Sequence, residues 1–289
     1  MLDSSRDSVV SKSAFLVFTI SMSLSAVGKV LLPALGIDFG IQAVGYLHAC
    51  IFRTEKLYDF CGAGAFLGVT AYSYFGGNAV NITRSVIASA FAAAWAARLG
   101  SFLFARVLIF GKDHRFDEVK NDLPKFGVFW FMQGVWVFAS LLPVLMLNSQ
   151  ATQPGLSALD AIGMAIWGFG FLFEVVADVQ KFMHKVNNPD TSKWIDTGLW
   201  SFSRHPNYFG EITLWVGMYI LCLSGLDTGE KIAGIVSPVF ITCLLLFASG
   251  IPILEANADK KWGHLEEYRR YKEEVNVLVP FPRSCRRTD

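Results

Sequence analysis

The chain consists mainly of long apolar runs separated by short polar connections. A helix that crosses a bilayer needs about 20 mostly apolar residues, because its backbone amides must be satisfied within the helix itself. Eight apolar runs approach this length, and the second of them is the shortest. The runs lie at about 14–35, 38–53, 58–77, 85–110, 124–147, 157–183, 207–225 and 232–254. The pattern predicts an all-α fold, a transmembrane helix bundle of seven to eight spans that forms a single membrane domain over residues 1–289.

The composition agrees with a membrane protein. Hydrophobic residues make up 53% of the 289 residues and charged residues 17%, whereas soluble domains have about 45–50% and about 25%. The formal net charge of +1 excludes a polybasic nucleic-acid binder, so we expect no nucleic-acid partner. The five cysteines form no Cys-x-x-Cys pair and have no histidine at metal-ligand spacing, so we expect neither a disulfide framework nor a metal site.

The basic residues of the connections predict the topology, since Lys and Arg collect on the cytoplasmic side of membrane proteins. The stretch 147–157 carries no charge, whereas two other connections are basic. Their basic residues include Lys112, Arg115 and Lys120 in one and Lys181, Lys185 and Lys193 in the other. The alternation predicts eight spans with both chain ends in the cytoplasm, or seven with the N-terminus outside if the second run is re-entrant. The charged tail after 254 predicts a cytoplasmic amphipathic helix, with Tyr268 and Tyr271 on one side.

Acidic residues occur within the sixth apolar run. Glu174, Asp178 and Lys181 stand at helical spacing, so the two acids share a helix face and Asp178 can pair with Lys181. A carboxylate inside a membrane is costly and marks a functional interior by default. The alternative is that these residues form the hydrated cytoplasmic end of the helix.

The sequence RHPNYFGE, residues 204–211, leads into the seventh run. Arg204 offers a planar fork of donors that suits phosphate or carboxylate. His205 and Asn207 add directional donors and acceptors, and Tyr208 adds a hydroxyl and an aromatic ring. Because a helix N-terminus also favours anions, this stretch predicts a site for an anion and a ring. The alternative is a membrane anchor with a snorkelling arginine and an interfacial tyrosine.

These motifs carry a family likeness. RHPNYFGE after a Gly-Leu-Trp turn, the acidic helix before it, and a tail with EEYRRYK and VLVPFP resemble the steroid 5-alpha-reductase C-terminal domain superfamily. The likeness is to its little-characterised multi-pass branch, which is related to sterol reductases and, remotely, to isoprenylcysteine carboxyl methyltransferases. It extends from about 171 to 282. It implies that residues 151–289 hold NADPH on the cytoplasmic side and that residues 1–150 form the substrate-side helices.

The resemblance also implies individual roles. Glu55, in a stretch similar to one that carries the substrate-binding acid of the steroid reductases, and Tyr58 are the candidate catalytic proton donors. Glu174 stands where those reductases have asparagine. The residues implied to bind the cofactor are Glu174, Asp178, Lys181, Arg204, His205, Asn207, Tyr208, Glu211, Glu255 and Tyr268.

Three functions follow as hypotheses. The first is an NADPH-dependent reductase of a carbon–carbon double bond in a lipophilic substrate such as a sterol, prenol or enoyl lipid. The second is an S-adenosylmethionine-dependent methyltransferase, and the third is a non-catalytic lipid-binding membrane protein. Glu211 favours the first, because the methyltransferases that share the Arg-His-Pro-x-Tyr-x-Gly core usually have an apolar or aromatic residue there. A multi-pass location in the endoplasmic reticulum is expected for a eukaryotic source, and the oligomeric state is left open.

Overall fold

A computed structural model describes residues 4–110, 116, 119, 121–188 and 193–282, with side chains from residue 27 onward except those of 107, 108 and 110. Lys112, Arg115 and Lys120 lie outside the described residues. The described chain is helical, apart from one isolated bridge between Ser203 and Asn276. The predicted all-α class is confirmed.

Ten α-helices are found in the described chain. They are α1 (Ser4–Phe52), α2 (Tyr58–Gly76), α3 (Thr83–Phe110), α4 (Leu123–Ser149), α5 (Ala158–Asn187), α6 (Pro206–Leu223), α7 (Thr228–Gly234), α8 (Val236–Cys243), α9 (Ile251–Trp262) and α10 (Glu266–Glu274). A 3₁₀ turn, Gly198–Ser201, precedes α6, and a π-helical turn, Leu244–Ala248, follows α8.

Five helical segments of the described chain are long and apolar enough to cross a membrane, which confirms a helical membrane bundle. They are Val27–Phe52, Thr83–Arg106, Leu123–Ser149, Ala158–Asn187 and Thr228–Trp262. The total of seven to eight spans, the orientation and the membrane compartment stay predictions. The chain divides into two compact units. The first comprises Met1–Gly155 with Gly225–Gly234, and the second Leu156–Ser224 with Ile235–Asp289.

The first two predicted runs lie in one helix, α1, so the break predicted between them is wrong. The helix continues through Gly36 and Asp38, and it includes Pro33. Membrane helices tolerate proline where neighbours re-satisfy the freed backbone groups. Asp38 marks no helix end, because α1 continues past it to Phe52, and its side chain is fully buried.

In the second unit, α5 and α6 pack through glycines. A methyl group at Gly210 would lie 2.6 Å from the Glu174 backbone nitrogen and 2.8 Å from the Gly170 carbonyl oxygen. The same close approach occurs one heptad further on, between Gly217 and Gly163. Small residues let membrane helices bring their backbones together, so these glycines fix the pairing of α5 with α6. Their seven-residue spacing in each helix is the sequence pattern that could have predicted it.

The predicted amphipathic helix corresponds to α10. Tyr268 and Tyr271 are both buried and pack against Trp194 and Val275, which confirms that the two tyrosines face one side. The Tyr271 hydroxyl donates to the Trp200 carbonyl over 2.9 Å. The aromatic cluster therefore attaches α10 to the turn that precedes α6.

Candidate functional site

The turn before α6 is docked on the side of α5. Gly198 adopts a φ of +61°, and a Cβ atom there would lie 2.5 Å from the Gln180 side chain. The Gln180 oxygen accepts from the Leu199 backbone N–H over 2.9 Å, and the Trp200 indole donates to the Ala177 carbonyl over 3.0 Å. A glycine is required where φ is positive and a neighbouring side chain lies this close.

The chain after α10 holds the other side of this turn. The Arg204 backbone N–H donates to the Asn276 carbonyl over 2.8 Å, and the Ser203 hydroxyl donates to the Leu278 carbonyl over 2.7 Å. The same hydroxyl oxygen accepts from the His205 backbone N–H over 3.1 Å. Ser203 is fully buried, so its hydroxyl links the C-terminal segment to the residue that begins the predicted site.

Glu255 of α9 is the centre of a charged cluster. Its Oε1 accepts from Arg204 Nε over 3.2 Å and from His205 Nε2 over 2.8 Å, and Lys272 Nζ lies 3.1 Å from its Oε2. Arg204 Nη1 also donates to the carbonyls of Lys272 and Val275. Several N–H donors of the Arg204 guanidinium are thus hydrogen-bonded within the protein itself, which gives Arg204 a structural role. Its contact with the cofactor stays a prediction.

His205 is buried and carries one nitrogen without a partner. Its ring stacks on that of Tyr208, with centroids 5.6 Å apart and planes 10° apart. Burial lowers the pKa of His205 below its ordinary value, although the hydrogen bond to Glu255 opposes the shift. Nδ1 has no hydrogen-bond partner among the described residues. A neutral ring that donates through Nε2 to Glu255 presents Nδ1 as an acceptor.

Two of the predicted cofactor-binding residues, Asp178 and Asn207, form a hydrogen bond between α5 and α6. Asn207 Nδ2 of α6 donates to Asp178 Oδ1 of α5 over 3.1 Å. Glu174 and Asp178 are both buried, so they lie on one face of α5, as their spacing predicts. Because α5 continues to Asn187, neither acid lies in its last turn. Lys181 lies with its Nζ 4.9 Å from the centre of the Trp200 ring.

The remaining two cofactor candidates have different surroundings. Glu211 follows Gly210 in the first turns of α6 and is half-buried. Tyr268 packs in the aromatic cluster, 4.9 Å from the Trp194 ring. Burial, together with the charge of Glu255, raises the pKa of Tyr268 to about 12, so its hydroxyl keeps its proton at neutral pH. The ten cofactor candidates all belong to the second unit.

Glu55 and Tyr58 belong to the first unit. Glu55 is buried. The Tyr58 hydroxyl donates to the Phe129 carbonyl over 3.0 Å, and its ring lies against those of Phe116 and Trp130. Their catalytic role stays a prediction.

Sequence patterns did not single out Lys272. Its Nζ lies 2.7 Å and 2.9 Å from the two carboxylate oxygens of Asp259, in addition to its contact with Glu255. Burial would lower the pKa of Lys272, but the hydrogen bonds to these two acids outweigh it and raise the pKa. The four-residue spacing of Glu255 and Asp259 on one helix face is the feature that could have predicted a basic partner.

The fold and the site define a helical membrane protein with a group of hydrogen-bonded polar side chains at the start of α6. The chain belongs to the DUF1295 family of proteins of unknown function, whose model matches residues 45–275. No curated protein and no solved structure matches the chain. The match covers all twelve candidate residues and assigns no activity to any of them.

Proposed function

We propose that the chain is a membrane reductase that uses NADPH to reduce a carbon–carbon double bond in a lipophilic substrate. The observation that carries the proposal is the arrangement around His205. Three features stand together at the start of α6: the buried His205 ring nitrogen that has no partner among the described residues, the tyrosine stacked on that ring, and the hydrogen bond from Asn207 to the Asp178 carboxylate of α5. The resemblance of this stretch to the steroid 5-alpha-reductase superfamily supports a dinucleotide as the ligand.

The residues suit the chemical groups of NADPH. The Asp178–Asn207 pair offers both an acceptor and donors, which a carboxamide can bind. Tyr208 offers a ring face, and His205 Nδ1 offers an acceptor for a ligand hydroxyl or amide. Lys181, which lies beside Trp200, supplies the cation for the phosphates in this proposal. Arg204 and Glu255 would act by holding His205 in place.

Reduction of an alkene adds a hydride to one carbon and a proton to the other. NADPH, when bound, supplies the hydride. Glu55 and Tyr58 stay the proton donors predicted from the sequence, and the apolar helices admit a lipophilic substrate while they exclude water in the proposal. The substrate class is a sterol, a prenol or an enoyl lipid.

Thermal stability of the purified full-length protein in detergent tests the cofactor. A ligand that binds only the folded state stabilises it by RT ln(1 + [L]/Kd), so NADPH should raise the melting temperature in a concentration-dependent way. A rise with S-adenosylmethionine alone would replace the reductase with a methyltransferase. No rise with either compound would favour a non-catalytic lipid-binding protein.

Variants then test the site. Asn207→Ala removes the donor to Asp178 and should abolish the stabilisation by NADPH while the ligand-free melting temperature changes little. Asn188→Ala is the matched control, because Asn188 is exposed and, among the described residues, its side chain bonds only to the His184 carbonyl. A normal response to NADPH in the Asn207 variant would remove this site assignment.

A further inference from the structure

An acidic side chain lies inside the membrane span of α1. Asp38 belongs to the span Val27–Phe52 and has no exposed surface. Its chain neighbours contact the other helices of the first unit: Phe39 lies against Gly134 of α4, and Ile37 lies against Gly68 of α2. The facing stretches 62–69 and 130–137 contain no charged residue. A carboxyl group in such a place is costly unless it has a specific partner or function.

The partner of Asp38 is an amide. Gln42, one turn further along α1 and also buried, donates from Nε2 to Asp38 Oδ1 over 3.3 Å. The second oxygen of each side chain, Asp38 Oδ2 and Gln42 Oε1, is buried without a hydrogen-bond partner among the described residues. Both unpartnered atoms are acceptors, so the pair lacks a donor hydrogen.

A third acceptor lies at the same level of this unit. Gly45 packs against Trp130, which places Gln42, one turn earlier on α1, beside the next turn of α4. Gln133 of that turn is buried and reaches Gly62 of α2, and its Oε1 also has no partner among the described residues. Unsatisfied buried acceptors of this kind call for a ligand that brings a donor.

The packing of this layer favours the smallest such ligand. A methyl group at Gly134 would lie 2.8 Å from the Phe39 ring, and one at Gly45 would lie 2.6 Å from the Trp130 ring. The helices approach closely at these two points, and the described residues contain no group of three or more His, Cys, Asp or Glu side chains that could hold a metal ion. A proton needs no added space, and it would cancel the charge of the carboxylate in an apolar environment.

We propose that Asp38 is a proton-binding site inside the membrane, with the proton on Oδ2 shared with the Gln42 amide oxygen. One O–H bond forms, and that hydrogen supplies the donor that both oxygens lack. Gln133 lines the same layer and offers the next acceptor. The site is independent of the proposed cofactor and of the reductase activity.

Infrared difference spectroscopy of the full chain in lipid nanodiscs at neutral pH tests the proposal. The wild type should show the carbonyl stretch of a protonated carboxylic acid, which should be absent from Asp38→Asn. Gln42→Leu should keep this band but shift its frequency, because the hydrogen-bond partner is lost. Asp59→Asn is the matched control: Asp59 pairs with Arg106 over 3.3 Å, so its removal should leave the band unchanged.

Thermal stability gives an independent measurement. An asparagine at position 38 has the donor and the acceptor of a protonated acid, so Asp38→Asn should fold and melt at or above the wild-type temperature. The proposal is overturned if no protonated-acid band depends on Asp38, or if Asp38→Asn fails to fold. It is also overturned if Na⁺ at constant ionic strength stabilises the wild type but not this variant, because the ligand would then be sodium.

Discussion

Two acids of this protein, the half-buried Glu255 and the fully buried Asp38, have opposite surroundings. Glu255 in the second unit has three basic partners, Arg204, His205 and Lys272. Asp38 in the first unit has one amide partner, and no basic group of the described residues contacts it. The first arrangement stabilises a carboxylate by opposite charge, whereas the second suits a neutral acid. A buried carboxyl group is therefore informative only together with its partners, and substitution by the matching amide distinguishes the two cases.

The largest effect is expected for Glu255→Gln. The substitution keeps the shape but removes the charge that compensates Arg204 and Lys272. Removing one partner of a buried ion pair costs about 3–5 kcal/mol, and the partial exposure of this cluster, 18% for the Glu255 side chain, reduces the expected cost to about 2–3 kcal/mol. We expect a clear loss in the free energy of unfolding, measured by denaturation in detergent, in contrast to Asp38→Asn. Equal effects of the two amide substitutions would contradict the distinction between the two acids.

The next effect concerns the helix pair that carries the site. Gly210→Ala should destabilise the second unit by about 1–3 kcal/mol, because the added methyl group meets the backbone of α5, which has no flexible atom to move. Gly168→Ala is the control, since a methyl group at Gly168 meets nothing within 4 Å. Melting temperatures of the two variants test this. If both variants behave alike, the close approach of α5 and α6 is not what holds the pair.

A smaller effect is expected where the C-terminal segment holds the turn before α6. Ser203→Ala removes the donor to Leu278 and the acceptor for the His205 amide, and one such hydrogen bond contributes about 1 kcal/mol. Hydrogen exchange should show faster exchange of the His205 amide, with α6 amides unchanged. Ser201→Ala is the control, because within the described part of the chain its exposed hydroxyl bonds only to the Gly198 carbonyl. Unchanged exchange at His205 would mean that Ser203 does not position it.

The sequence predicted the helical class, the start of α6 and the buried face with Glu174 and Asp178, because these depend on hydropathy, on Pro206 and on helical spacing. It did not predict that α1 runs unbroken through Asp38. Pattern alone cannot tell a polar residue at a helix end from one buried against other helices. The internal bonds of Arg204 also escaped prediction, because its partners Glu255 and Lys272 are distant in the chain. The sequence shows an arginine but does not show whether its guanidinium donors bind a ligand or other groups of the protein.

The smallest effect concerns the pH response of Tyr268, which reports on the charge of Glu255. Burial and Glu255 raise its pKa from 10.0 to about 12, so the folded chain holds this proton more tightly than the unfolded chain does. The stability that this proton contributes is present below about pH 10 and is lost as the pH rises towards about 12. Tyr268→Phe should therefore lose less stability than the wild type between neutral and alkaline pH, as measured by thermal unfolding.

In Glu255→Gln the tyrosine should titrate at lower pH, yet still above its ordinary range, since burial is the larger cause. An unchanged titration in that variant would show that the negative charge of Glu255 does not act on the tyrosine.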